Sequence, residues 1–283
     1  MAHSSAPRRR AATGLLVALS IVAAGTLPAA AQGRLTAQYT ITMTGIAIGH
    51  IAWRVDIGET QYTTSAGGKA SGVLSMLVNG EGAVKAQGAV AADGRLAPAA
   101  YSSDITDEDG ATALRINFTG GTAKETISPQ RPHPDRLPVT DADRRGVADP
   151  LTAVLLPAKP GGDPLTPAAC LRRLSIFDGE RRYNLALSYG RMETFKAQRG
   201  YAGPALVCGV VLEPIAGYRA DSLLVKYVGG KHDMELWFAP IEGTNVIAPI
   251  EVLMPTLIGT LKIEADQFES KAAPVTSPAP TPQ

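Results

Sequence analysis

The sequence predicts an all-β fold, a large curved antiparallel sheet or open β-barrel with one or two short helices. Three observations carry this. Apolar and polar residues alternate with a period of two, as in Tyr39, Ile41 and Met43 against Thr40, Thr42 and Thr44, which places one set on a core face. Short runs are punctuated by turn residues, among them Asp107-Glu108-Asp109-Gly110 and Asp178-Gly179-Glu180, the chemistry of hairpin connections. Long helical segments do not alternate with the strands, which disfavours a doubly wound α/β fold.

The elements follow in order. After Gly45 breaks the first strand, Ile46 to Ile57 continues with β-branched residues and Trp53 until Gly58 and Glu59, and Gln61 to Ser65 reads as a third. Tyr101 to Ile105 and Ala111 to Phe118 flank the acidic turn, and Gly120-Gly121 separates the latter from Thr122 to Ile127. The second half gives Leu174 to Phe177, Tyr183 to Tyr189, Arg191 to Gln198, Ala205 to Pro214, Ser222 to Val228, Met234 to Phe238, Val246 to Met254 and Leu257 to Phe268. Two segments depart from this style. Val73, Leu74, Met76, Leu77 and Val78 form an apolar cluster. Asp149 to Leu156 reads as a helix with Asp149 at N-cap and Pro150 at N1. Each is expected to plug an open end of a barrel. Ser128 to Arg145, rich in proline and arginine, is expected to be an extended connector over the surface.

The amino terminus sets the compartment. Arg8, Arg9 and Arg10 precede an apolar run from Leu15 to Leu27, then Pro28 and Ala29-Ala30-Ala31. This is the pattern of a cleaved signal peptide over residues 1–31, with the mature chain starting near Gln32, exported to the periplasm or secreted and without a transmembrane anchor. Residues 32–270 are read as one β-rich domain and 271–283 as a disordered Pro-rich tail. Removing the leader takes away three arginines and no acidic residue, so the formal charge falls from +1 to −2, which gives no basic face for nucleic acid. Cys170 and Cys208 are the only cysteines. In an exported chain they read most simply as a disulfide, with two buried thiols or a metal pair as alternatives.

Tyr39 followed by Gly45-Ile46-Ala47-Ile48-Gly49, then Arg145-Gly146-Val147-Ala148-Asp149-Pro150-Leu151, Phe177-Asp178-Gly179, Ile215-Ala216-Gly217-Tyr218-Arg219, Trp237-Phe238-Ala239-Pro240 and Pro255-Thr256-Leu257-Ile258-Gly259 together resemble the DUF3108 family. The resemblance spans roughly residues 35–268 and is closest to alphaproteobacterial members. It implies an envelope location and a large curved antiparallel sheet, and it implies no reaction.

No catalytic, cofactor or metal motif emerges. His50, His133 and His232 share no ligand spacing, and His232-Asp233 beside Gly229 and Gly230 reads as a turn. With Gly110 at the sixth place of an EF-hand loop, the first and twelfth would be Ile105 and Ile116, which cannot bind calcium. No nucleophile elbow, P-loop or dinucleotide fingerprint occurs. Arg131, Arg136, Arg144 and Arg145 approach the start of the Asp149 helix. Arg144 and Arg145 are candidates for an anionic head group, against the plainer alternative of ion pairs with Asp141, Asp143 or Asp149. Val73, Leu74 and Leu77 are the matching apolar candidates.

The function expected from these features is non-enzymatic binding of an apolar or amphipathic envelope molecule, such as a lipid, in the curved sheet. It requires a cavity lined by side chains such as Ile48, Leu185, Leu187, Val225 and Leu236. The alternative is a structural protein with a filled core that meets an envelope protein partner; a hydrolase with an unrecognised site ranks third.

Overall fold

The computed structural model describes Met1 and residues 32–70, 80–108, 110–129, 134–159, 161–222 and 234–272. The leader, the apolar cluster with Val73, Leu74 and Leu77, His133, His232, Val225, most of the strand expected at Ser222 to Val228 and the tail after Ala272 lie outside the described residues. Fifteen strands occur among the described residues. They are β1 (Gly33–Met43), β2 (Ile46–Ile57), β3 (Gln61–Ala70), β4 (Glu81–Val90), β5 (Leu96–Asp107), β6 (Gly110–Thr119), β7 (Thr122–Ser128), β8 (Leu156–Pro157), β9 (Arg173–Phe177), β10 (Arg182–Lys196), β11 (Arg199–Gly200), β12 (Ala202–Ala216), β13 (Met234–Pro240), β14 (Val246–Thr256) and β15 (Gly259–Ala272). Two helices of one turn each, α1 (Pro150–Ala153) and α2 (Pro167–Cys170), interrupt them.

All strands join one sheet in the order β7-β6-β5-β4-β3-β2-β1-β15-β14-β13-β12-β10-β9, with β8 on β14 and β11 on β15. The all-β expectation therefore holds. Neighbours along this path pair antiparallel, and β11 runs parallel to β15. The edges β7 and β9 are drawn together by the connector, which does more than cross the surface. Ala123 N donates to Arg144 O at 2.9 Å and Gly146 N to Gly121 O at 2.9 Å. Ala148 N then donates to Ser175 O at 2.9 Å and Phe177 N to Ala148 O at 3.0 Å. Residues 144–148 thus act as a strap whose two ends satisfy backbone groups of both edges, an all but closed barrel that leaves less free edge to template aggregation.

Local chemistry explains where the expectations shift. The helix expected over Asp149 to Leu156 stops at Ala153, and Leu156-Pro157 instead pairs with Ile247 and Val246. Asp149 caps the single turn as expected, accepting from Thr152 N at 2.9 Å. The break expected at Gly190 is a bulge within β10, because β12 runs past it on both sides. β15 continues through Lys271 and Ala272, paired with Arg34 and Gly33, two residues beyond the domain boundary read at 270. β4 has no counterpart among the expected strands; its sequence, EGAVKAQGAV, is rich in Ala and Gly.

Three packed clusters hold the sheet. One runs from Leu35, Ala37, Tyr39, Trp53 and Val55 to Ile250 and Phe268. A second surrounds the Cys170–Cys208 disulfide, which ties α2 to β12 across a Cα separation of 5.5 Å. A third joins Tyr101, Leu114 and Ile116 to Val147 of the strap and to Phe177. The interior expected to be hollow at Leu187 and Leu236 is filled, since both are 7% exposed and pack around the disulfide with Leu185 against them. Ile48 lies at the end of β2 beyond its pairing with β3, outside any such cavity.

Candidate functional site

A cavity of about 1130 Å³ lies against the core-facing side of β5, β6 and β7. Alternation along β5 turns Tyr101, Ser103, Ile105 and Asp107 toward it, and along β7 it turns Glu125 and Ile127. Pro150, where α1 begins, forms part of the wall, and the β9–β10 turn with Asp178, Glu180, Arg181 and Tyr183 faces the strands across the space. Arg136 of the connector completes the rim and pairs with Glu180 at 3.4 Å.

The polar groups are preorganised. Asp178 accepts from Glu180 N at 2.9 Å and Arg181 N at 2.6 Å, an Asx turn that aims the carboxylate at its own loop. Burial nonetheless pushes its carboxyl above the usual range. Burial also pushes the Tyr101 and Tyr183 phenols up, reinforced by the nearby Asp178 carboxylate, so both stay protonated donors at neutral pH. Tyr218, over which the Arg181 guanidinium sits 6.0 Å from the ring centroid, is pushed up to about 12 by burial. Behind α1, Asp149 is fully buried and accepts from Thr152 Oγ1 at 2.7 Å. Thr152 Oγ1 lies 2.7 Å from Tyr62 Oη, so with the carboxylate ionised the proton order runs from tyrosine to threonine to aspartate.

Of the residues singled out in the sequence, Arg144 reaches the margin of this cavity. Its guanidinium holds Glu125 through contacts of 2.5, 3.0 and 3.1 Å, and it lies 5.8 Å over the Phe177 ring. Its nearest local carboxylate, Asp141, is at 3.8 Å and solvent-exposed. Arg144 is thus a strut between strap and β7, engaged by a strand 19 residues away in sequence. Arg145 is exposed, and its backbone bridges Thr122. The lining carries four carboxylates, Asp107, Glu125, Asp178 and Glu180, and two guanidiniums, Arg136 and Arg181, with Arg144 holding Glu125 from the margin. The charges are thus nearly balanced and leave no excess of cations at the recess. Tyr101, Ser103 and Tyr183 were not singled out from the sequence; the Phe177-Asp178-Gly179 turn was the one local signal near them.

A shallower depression of about 750 Å³ lies on the solvent side of β2 to β6, where small residues such as Ala52, Gly67, Ala83 and Ala113 alternate with the core positions. His50, the one histidine among the described residues, sits there with its Nδ1 3.3 Å from Thr40 Oγ1. Among the described residues no group of three or more His, Cys, Asp or Glu is placed to hold a metal, and no helix is long and apolar enough to cross a membrane.

Fold and cavity define a barrel-like antiparallel β protein with a polar recess beside its closing strap. The chain belongs to the DUF3108 family, described as a protein of unknown function, whose model matches residues 38–266. Among solved structures it is similar to the beta-barrel-like protein of domain of unknown function DUF1849 from Brucella abortus, at a TM-score of 0.44 and 8% identity over 88% of this chain and 100% of that one. No curated protein matches the sequence.

Proposed function

We propose that this is an exported, non-enzymatic binding protein of the cell envelope. Its ligand is amphipathic, with a neutral or cationic head that sits among Tyr101, Ser103, Tyr183 and Asp178. The observation that carries the reading is the cavity itself. At about 1130 Å³ it lies just above the usual small-molecule range, and carboxylates, guanidiniums and phenols from β5, β7 and the β9–β10 turn converge on the one space beside Ile105, Leu114 and Ile127. The Ala29-Ala30-Ala31 leader and the Cys170–Cys208 disulfide support export to an oxidising compartment.

The test is native mass spectrometry of protein taken from its own envelope fraction without detergent, followed by solvent extraction. A stoichiometric adduct that disappears when Ser103→Trp fills the cavity, while Tyr183→Phe only weakens it, supports the reading. A clean apo mass for folded protein removes it. The filled core around Leu187 and Leu236 favours the second reading in that event, a structural protein that works through a partner.

A further inference from the structure

We propose that the molecule docks on a lipid bilayer through two adjoining hairpin tips, one carrying Ile46 and the other Leu257 and Ile258. The tips touch. Thr44 N donates to Thr260 O at 3.0 Å, and a Cβ built on Gly259 would fall 2.1 Å from Thr44 Cγ2. In the first tip Thr44 and Gly45 both have positive φ, 48° and 83°, as a two-residue hairpin of the I′ kind requires. In the second, Thr256 shapes the turn by accepting from Ile258 N at 3.3 Å and donating to Gly259 O at 2.7 Å.

Folding alone gives no reason for the residues that crown these turns. Such positions favour Gly, Asn and Asp, yet the second turn holds Leu257, 57% exposed, and Ile258, 77% exposed, with Ile46 at 59% alongside. No residue carries a charge from Ile41 to Gly49 or from Val252 to Leu261. The first cation beyond, Lys262, is held by Glu251 at 3.3 Å and by Glu264. Two described turns at this end are charged by contrast, at Asp107-Glu108 and at Asp178 to Arg181. Among the described residues β2 pairs with β3 from Gly49 onward, so Ile46 to Ile48 extend past the last described residue of β3 by about 10 Å at the usual strand rise.

Size decides the occupant. Three side chains at these exposures present roughly 300–400 Å², well under the ~800 Å² per partner of a stable protein interface. A bilayer needs less, since a few projecting apolar chains entering the headgroup boundary suffice for reversible attachment, and the uncharged collar removes the cost of desolvating ions. The inference stands apart from the cavity reading, because these residues do not line that recess.

The experiment is flotation of the purified full protein with vesicles of phosphatidylcholine and, separately, of phosphatidylethanolamine with phosphatidylglycerol. Expected is flotation with both, insensitive to about 0.5 M salt because the contact is not ionic. The combined Ile46→Ser, Leu257→Ser and Ile258→Ser change should lower the bound fraction about tenfold while the melting temperature holds, since exposed side chains contribute little to the core. Ile258→Trp should retain binding and be quenched by brominated lipid. Equal flotation of the triple variant, or none by the unchanged protein, overturns the proposal. Flotation confined to anionic vesicles at low salt, or self-association abolished by the triple variant without vesicle binding, overturns it as well.

Discussion

β12 and β4 belong to one continuous sheet and live in opposite surroundings. Along β12 four successive residues, Ala205, Leu206, Val207 and Cys208, are fully buried, because both of its faces are covered. Along β4 only Ala86 is buried, and the strand alternates Ala, Gly and Val on the covered side with Glu81, Lys85 and Gln87 on the other. Side-chain volume makes the difference. On the core-facing side, Tyr62 and Gly88 pair at one end of β3 and β4, and Gly68 and Gly82 at the other. The covered rank therefore tapers to nothing toward the end where both depressions lie, while α1 packs against the wide end through Tyr62 and Thr152. One sheet thus supplies a solid wall and a thin one, and the recess forms beside the thin one.

This contrast can be broken at its solid side first. Phe238→Ala should cost about 3–5 kcal/mol in denaturant unfolding, as a fully buried aromatic in a packed cluster. A loss near that of a surface change would mean this wall is not packed. Cys170→Ser should lower stability by about 3–4 kcal/mol under oxidising conditions through the 38-residue loop it opens. The comparison in reductant, where both proteins lack the bond, should show little difference. At the strap, Glu125→Gln removes the carboxylate that holds Arg144 and should cost about 1–2 kcal/mol. Asp141→Asn, at an exposed partner, should cost under ~0.5 kcal/mol.

The smallest effect is in the pH dependence of the plug. Burial raises the Asp149 carboxyl above its unfolded value despite the Thr152 hydrogen bonds. The folded state therefore holds the proton more tightly than the unfolded state. The associated stability is fully present below the unfolded carboxylate value of about 3.9 and is lost as pH rises through the raised folded value. Asp149→Asn keeps one acceptor for Thr152 N and removes this titration. Its melting temperature relative to the unchanged protein should be higher at pH 7 than at pH 4, and a constant offset would remove Asp149 as the source.

Much of the barrel was legible because β-branched and aromatic alternation survives in β1, β2, β6 and β12, and because Asp-Gly and Gly-Gly steps in the sequence mark the β5–β6, β6–β7 and β9–β10 turns. β4 escaped since Ala and Gly carry no strand preference; its neighbours β3 and β5 hold it extended. Arg144 was legible as an interacting cation with local partners in view. Its actual partner, Glu125, follows from the strap lying against β7, a long-range event that no local spacing encodes. The cavity was legible only through Asp178-Gly179, because Tyr101 and Ser103 are ordinary inward strand positions until the β9–β10 turn is placed opposite them.

The pairing of Gly33 with Ala272 and of Tyr39 with Ala265 has a consequence for how the chain is assembled. The first strand finds its second neighbour only when the last has been delivered, more than 200 residues later. Closure of so long a loop makes this step slow and late in folding. Under the export proposed above, a chain threaded outward amino end first would stay incomplete until its carboxyl end had followed. The same meeting of ends makes the domain a natural ring. A short linker from Ala272 to Gly33, with new termini opened at the Ala91 to Arg95 turn, would leave every strand pair in place.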